Sequence, residues 1–377
     1  MTGPLAGVSV VELAGIGPAP FAVMLLADMG ASVVRVDRAG PASGDYAPNP
    51  VMERGRRSIA VNLKDPAGGD VVRRLVARAD VVVESYRPGV AERLGVGPSE
   101  CLAANPRVVY ARMTGYGQTG PRAGEAGHDI NYISLTGALH AIGRAGEPPV
   151  PPMNLVGDFG GGALFLAYGV ACALLEVART GRGRVVDANV VEGTTTLLSL
   201  VHGLQAVGLW VDERGRNLLD TGSPYYDVYA CADGGHVAVG TIERRFFVNL
   251  LTVLELPEFA DAHRDPTRWP ALRAALTAAF AARPRDAWAA AFAGRDACVT
   301  PVLSLTEARA DPHAVARGTY AAVPGFPDAA QAAPAPRFDG EVLPLPAPAP
   351  AVGAHTREIL AELGLDPEPL YAAGTVT

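Results

Sequence analysis

The sequence predicts an α/β protein: a doubly wound parallel sheet, followed by a smaller α+β domain. Three observations carry this reading. Short β-branched runs alternate with helical stretches through the first 112 residues. A Gly-rich, apolar helical passage fills the middle of the chain. Near residue 222 the pattern changes to a hairpin and then to amphipathic helices. At 377 residues there is length for two or three domains and a sizeable core.

The elements follow in order. Residues 8–14 (VSVVELA) form a strand, 18–30 a helix and 32–37 (SVVRVD) a second strand. Strand 58–63, a helix near 66–78, and strands 80–84 (DVVVE) and 107–112 (RVVYAR) continue the alternation. A ligand belongs beyond the carboxyl ends of such strands. Helix 163–179 stops at Thr180-Gly181-Arg182-Gly183. Strand 184–189 and helix 191–206 come next. Tyr226–Cys231, the turn Asp233-Gly234-Gly235 and His236–Gly240 make a hairpin, with helices near 243–254, 270–282 and 285–293. Eight prolines in 321–354 predict an extended connector before a last helix at 355–363. The expected boundaries are a large domain over 1–200 completed by 325–377, a linker 201–221, a small domain 222–315 and a Pro-rich connector 316–354.

Composition narrows the function. A net charge of −7 argues against a nucleic-acid binder. Residues 1–112 nevertheless hold 13 basic and 11 acidic side chains, so an anionic ligand should meet the N-terminal third. All the basic residues but Lys64 are arginines. The charge-free stretches 159–175 and 193–211 carry glycines or polar residues, so they are expected to be buried helices, and no membrane partner is expected. No basic residue precedes Arg35, and Gly-Thr-Val-Thr ends the chain without a peroxisomal address. Cys101, Cys172, Cys231 and Cys298 are widely spaced, as in reduced thiols. Together these predict a cytoplasmic protein.

Residues 15–20 (Gly-Ile-Gly-Pro-Ala-Pro), with Asp37 after the next strand, approach a dinucleotide fingerprint. Pro20 replaces the third glycine and Arg38 follows Asp37, so a tight βα turn is the better reading. Arg35, Arg38, Arg54, Arg56, Arg57, Lys64, Arg87 and Arg93 fall at strand ends or in the loops after them. Such guanidinium groups suit phosphates, or they are solvated surface charge.

His128 lies in a Gly-rich run before a helical pattern, where Asp129 or Asn131 would cap the helix. It is either structural or a group at the positive end of a helix dipole. Asp158 is the only charge between Glu147 and Glu176, so it must be capping, paired or chemically useful. The capping alternative assigns it to the helix at 160–179. Glu243 reads equally as a helix N-terminal acid.

At these residues the chain resembles the family III CoA-transferase superfamily, on its α-methylacyl-CoA racemase branch. The motifs run in one order: VVELAGIGPAP, RVDR, NLKD, YRPGVAERLG, ARMTGYGQTGPR, AGHDINYISLTG, NLVGDFGGG, GRVVDANVVEG, YYDVYACADG and VAVGTIE. The resemblance weakens over 320–350 and the last residues. It implies a Rossmann-like large domain that holds no nucleotide, a small domain, and an interlocked homodimer with active sites between subunits. It implies catalytic roles for His128, Asp158 and a His-pairing Glu243. It implies CoA binding by Arg38, by Val61, Asn62, Leu63 and Lys64, by Ser85, Tyr86, Arg87 and Arg93, and by Gly127, Asp129, Ile130, Asn131 and Tyr132. No cofactor is implied beyond the CoA of the substrate.

The implied reaction interconverts (R)- and (S)-2-methylacyl-CoA thioesters by 1,1-proton transfer through an enolate. Two acid–base groups must then flank the α-carbon, and backbone N–H groups of 127–132 would face the enolate oxygen. The alternatives are a CoA-transferase in which Asp158 forms an acyl anhydride, and a non-catalytic acyl-CoA-binding protein. The pairing of His128 with Glu243, and the lack of a glycine run near 221–226, favour the racemase.

Overall fold

The structure is a computed structural model that describes residues 3–40 and 49–377. It divides into two units. The larger takes in 3–136, 153–197 and 312–377; the smaller takes in 137–152 and 198–311. Segments 137–152 and 198–221 thus belong with the smaller unit rather than with a 1–200 domain and a linker.

The larger unit is built on six parallel strands: β1 (Ser9–Leu13), β2 (Ser32–Arg38), β3 (Arg56–Val61), β4 (Val81–Glu84), β5 (Val109–Thr114) and β6 (Arg184–Asn189). Their order is β3-β2-β1-β4-β5-β6. The direction of winding reverses between β1 and β4, which opens a crevice at their carboxyl ends. Helices cover both faces, so central strands such as Val81-Val82-Val83 are buried throughout. The Pro18–Asp28 and Leu164–Thr180 helices pack on one face with Val23, Leu26, Leu166 and Val170. Pro66–Val76 and Thr356–Glu362 pack on the other with Val72, Val76, Ile359 and Leu360. Asp65 caps the Pro66–Val76 helix by accepting from the Ala67 N–H at 3.0 Å.

Two carboxylates sit inside this sheet. Glu12 on β1 accepts from the Arg56 guanidinium at 2.6 and 3.3 Å, and Glu84 on β4 accepts from Arg112 at 2.8 Å. Both are fully buried, where a lone charge would be prohibitive. Burial still pushes the Glu84 carboxyl up, although the Tyr86 N–H and Arg112 oppose it.

The Gly160-Gly161-Gly162 triplet does not form a loop. Leu155–Ala163 is a π-helical passage that runs directly into Leu164–Thr180. It packs against Val190–Leu197, where a Cβ on Gly193 would lie 1.8 Å from the Gly161 carbonyl oxygen. Backbone meets backbone there, and only glycine permits it. The joined helix Leu155–Thr180 is long and apolar enough to cross a bilayer by length and composition, and 39% of its most apolar stretch is buried. The expectation of a buried helix therefore holds for one face only. Leu166, Val170, Ala173 and Val177 point inward, while Leu164, Tyr168 and Leu175 are exposed. The second charge-free stretch becomes two helices, Val190–Leu197 and Ser199–Ala206, and the latter buries no side chain.

The smaller unit contains β7 (Tyr226–Ala230), β8 (His236–Gly240) and β9 (Val299–Pro301) in one antiparallel sheet. Helices Arg244–Leu254, Trp269–Phe280 and Arg285–Phe292 build its core around Phe247, Phe280 and Trp288. The third strand gave no sequence signal because it is three residues long. The expected connector begins instead as an antiparallel ribbon, β10 (Tyr320–Val323) with β11 (Phe326–Ala332), before the chain extends.

Candidate active site

Two cavities open along the carboxyl edge of the parallel sheet, both within the larger unit. The first, about 530 Å³, lies beyond β1, β2 and β3. Arg38, Val61, Asn62, Leu63, Lys64 and Tyr86 line it, together with Asp37. The second, about 510 Å³, occupies the crevice beyond β1, β4 and β5. Ser85, Tyr86, Arg87, Gly127, Asn131 and Tyr132 line it, and so do His128 and Asp158. Tyr86 belongs to both walls, so one elongated ligand can touch both cavities.

The eight strand-end cations divide sharply. Arg35 pairs with Asp37 and Glu53, Arg54 with Asp28, Arg56 with Glu12, and Arg57 with Glu358 and Glu362. These four hold the scaffold and are not free for an anion. Arg38, Lys64, Arg87 and Arg93 have no ion pair among the described residues, and the first three line the cavities. Arg93 lines neither. Asp37, the acid of the dinucleotide-like pattern, is already engaged: it accepts from Arg35 Nε at 2.8 Å and from Ser58 Oγ at 2.6 Å.

Residues 374–377, which carried no expected role, form part of the first cavity. Val376 bridges antiparallel to Val61, the Thr377 N–H donates to the Ala60 carbonyl, and Gly374 and Thr377 line the cavity wall.

In the second cavity, His128 occupies the position just before the Asp129–Ser134 helix, and its N–H donates to Asn131 Oδ1 at 3.0 Å. Neither Asp129 nor Asn131 is the cap residue. The Asp129 and Ile130 N–H groups, first in that helix, have no acceptor among the described residues. Asp129 and Ile130 are absent from the cavity lining, unlike Gly127, His128, Asn131 and Tyr132. Asp158 is the fourth residue of the π-helical passage, not its cap. Burial and the neighbouring Asp129 carboxylate push its carboxyl up to about 6, while the Asn154 side chain and His128 pull it back. A carboxyl poised there exchanges protons readily near neutrality.

The dinucleotide-like turn has a different use. Gly17, at φ +73°, and Pro18 line this second cavity, and a Cβ at Gly17 would stand 3.6 Å from Asp158 Oδ2. The signal was visible as a glycine at a switch-point turn, but it reads as tight-turn chemistry alone. Tyr116 also faces the cavity, edge-on to Tyr132 at 4.9 Å between ring centres. Tyr132 donates its hydroxyl to the Gly127 carbonyl, and burial pushes the phenol up to about 12. Ser85 Oγ is buried at the cavity wall without a hydrogen-bond partner among the described residues. Glu243 belongs to the smaller unit, where it immediately precedes the Arg244–Leu254 helix.

Comparisons with known proteins give the family and the fold. The family described as CoA-transferase family III matches residues 5–356. The chain is 43% identical over 380 residues to the alpha-methylacyl-CoA racemase of Mus musculus, covering 97% of this chain and 94% of that protein. It is 30% identical to the succinyl-CoA:glutarate CoA-transferase of the same organism, over 96% and 86% of the two chains. Among solved structures it resembles a CAIB/BAIF family protein from Brucella suis, with TM-score 0.79, 28% identity, and 96% and 100% of the two chains covered.

Proposed function

The chain belongs to CoA-transferase family III, and from that premise we propose that it is an isomerase interconverting (R)- and (S)-2-methylacyl-CoA thioesters. The observation that carries the proposal is the pairing in one cavity of His128 with an Asp158 whose carboxyl is lifted to about 6. Inversion needs a proton removed from one face of the α-carbon and another delivered to the opposite face. Two acid–base groups flanking the carbon can each act as base in one direction and as acid in the other.

The CoA moiety lies along the sheet edge in this reading. Its phosphates meet Arg38 and Lys64 in the first cavity, its arm passes Tyr86, and its thioester reaches the second. A polar atom of the arm would satisfy Ser85 Oγ. Backbone N–H groups of the 127–132 segment face the enolate oxygen in this reading, and one such donor is worth about 3 kcal/mol. Acid–base residues and oriented amides suffice for this chemistry, so no cofactor enters beyond the substrate's CoA. The greater identity to a protein named a racemase than to one named a transferase favours inversion over acyl transfer.

The resemblance further implies a homodimer in which Glu243 orients the His128 ring, and the widely spaced cysteines support a cytoplasmic location. A second copy would cover the exposed apolar residues Leu164, Tyr168 and Leu175, which a monomer leaves in water.

Deuterium incorporation at C2 of each enantiomer of a 2-methylacyl-CoA in D₂O tests the proposal. Exchange with inversion is expected, and His128→Ala or Asp158→Asn should lower it at least about 100-fold. Absence of exchange, with CoA moving between carboxylic acids and an enzyme-bound acyl group trapped by hydroxylamine, would show a transferase instead.

A further inference from the structure

The Asp129 side chain has no place in the reaction so far described. It is nearly buried and does not line the cavity, although its neighbour His128 does. Its carboxylate instead faces the π-helical passage. Oδ1 accepts the Asp158 N–H at 2.6 Å; burial pushes the Asp129 carboxyl up, while the backbone N–H groups of Asp158 and Gly157 favour its charged form. The approach is so close that a Cβ on Gly157 would lie 2.1 Å from Oδ1. Oδ2 is buried without a hydrogen-bond partner among the described residues. A buried anion with a free oxygen is unfavourable for the fold alone, since half of its hydrogen-bonding capacity is unused.

We propose that Asp129 is the positioning residue of the acid–base pair, tying the backbone of Asp158 to the residue after His128 and holding a negative charge beside the Asp158 carboxyl. The proposal rests on the reading of His128 and Asp158 as the proton-transfer groups. Its chemistry is that of two carboxylates in one dry site: a charge on one makes ionisation of the other harder. The other groups facing Asp158 are the Asn154 side chain, His128 and the Tyr132 phenol; Gly17 presents no side chain. Asn154 and His128 both favour the ionised form. Among these groups only Asp129 and the burial itself favour the protonated form, so Asp129 keeps the Asp158 proton exchangeable near neutral pH.

Asp129→Asn separates charge from geometry, because its amide oxygen can still accept the Asp158 N–H. The Asp158 carboxyl is followed by ¹³C NMR of protein labelled at aspartate side-chain carboxyls, with Asp158→Asn assigning the signal. Its titration midpoint is expected to fall by about half a pH unit to one unit in Asp129→Asn. The acidic limb of C2 exchange should move with it, in the direction where Asp158 is the base. Asp129→Glu, which keeps the charge but displaces the carboxylate, should leave the midpoint high and lower kcat. An unchanged midpoint in Asp129→Asn, or a kcat loss with an unmoved acidic limb, overturns the proposal. The NMR midpoint needs no turnover, so a lowered midpoint without any C2 exchange would uphold the coupling and sink the racemase reading alone.

Discussion

The two cavities share a sheet edge and a wall at Tyr86, yet their charges are arranged in opposite ways. The first ends on Arg38 and Lys64, cations with no counter-ion among the described residues. The second ends on Asp158, a carboxyl that burial and a like charge drive toward its neutral form. Both begin from the same feature, the loops at the carboxyl ends of parallel strands. In the proposed function one attracts a charge that stays fixed, and the other makes a proton easy to move. Ligand binding and proton transfer thus call for opposite electrostatics, and the reversal of winding between β1 and β4 lets one sheet supply both.

The largest expected effect comes from the charges beneath these cavities. Arg56→Ala would leave Glu12 buried beside only the longer contact to Arg35, at 3.9 Å. A loss of about 3–5 kcal/mol in chemical denaturation is expected. Replacing both residues by apolar ones of similar volume should recover most of that loss. If Arg56→Ala were as stable as the parent, the division between scaffold cations and ligand cations would fail.

Lys64→Ala sets the contrast, since Lys64 makes no ion pair among the described residues. Its stability should be unchanged, while KM for the acyl-CoA rises about tenfold, or ~1.4 kcal/mol, with kcat preserved. Arg38→Ala should act in the same way, and both effects should shrink at high salt. A fall in kcat without a change in KM would place these cations in the chemistry instead.

Much of this was legible in the sequence, and the exceptions share a cause. The sheet strands were readable because both faces of a parallel sheet are covered, which forces continuous β-branched runs. His128 stood out by its Gly-rich surroundings, Asp158 by its isolation in apolar sequence. The division of the arginines was not readable, because their partners Asp28, Glu12, Glu358 and Glu362 are brought to them only by folding. Thr377 as a cavity wall was hidden for the same reason, since it reaches the end of β3 across more than 300 residues of chain. The glycine triplet was visible, but its close backbone contact with Gly193 was not, because that neighbour too is brought up only by folding.

The smallest expected effect tests the second cavity through stability. Asp158 has its folded carboxyl raised to about 6, from the ordinary 3.8. Between those values the folded chain keeps a proton that the unfolded chain has released. Folding therefore takes up a proton there, and stability falls as pH rises through that window. Above pH 6 the folded protein carries the whole cost of an ionised, partly desolvated carboxylate. Solvent reaching the cavity reduces that cost to about 1 kcal/mol. Asp158→Asn removes the charge while retaining the shape of the side chain. It should be more stable than the parent at pH 8 by about that amount, and the gain should vanish near pH 4, while C2 exchange is lost at both. Thermal midpoints of the two proteins, compared across that range, decide it. A gain independent of pH would mean that the amide improves packing rather than relieving a charge. A loss of stability at pH 8 would mean that the cavity favours the carboxylate, which would make it electrostatically like the first.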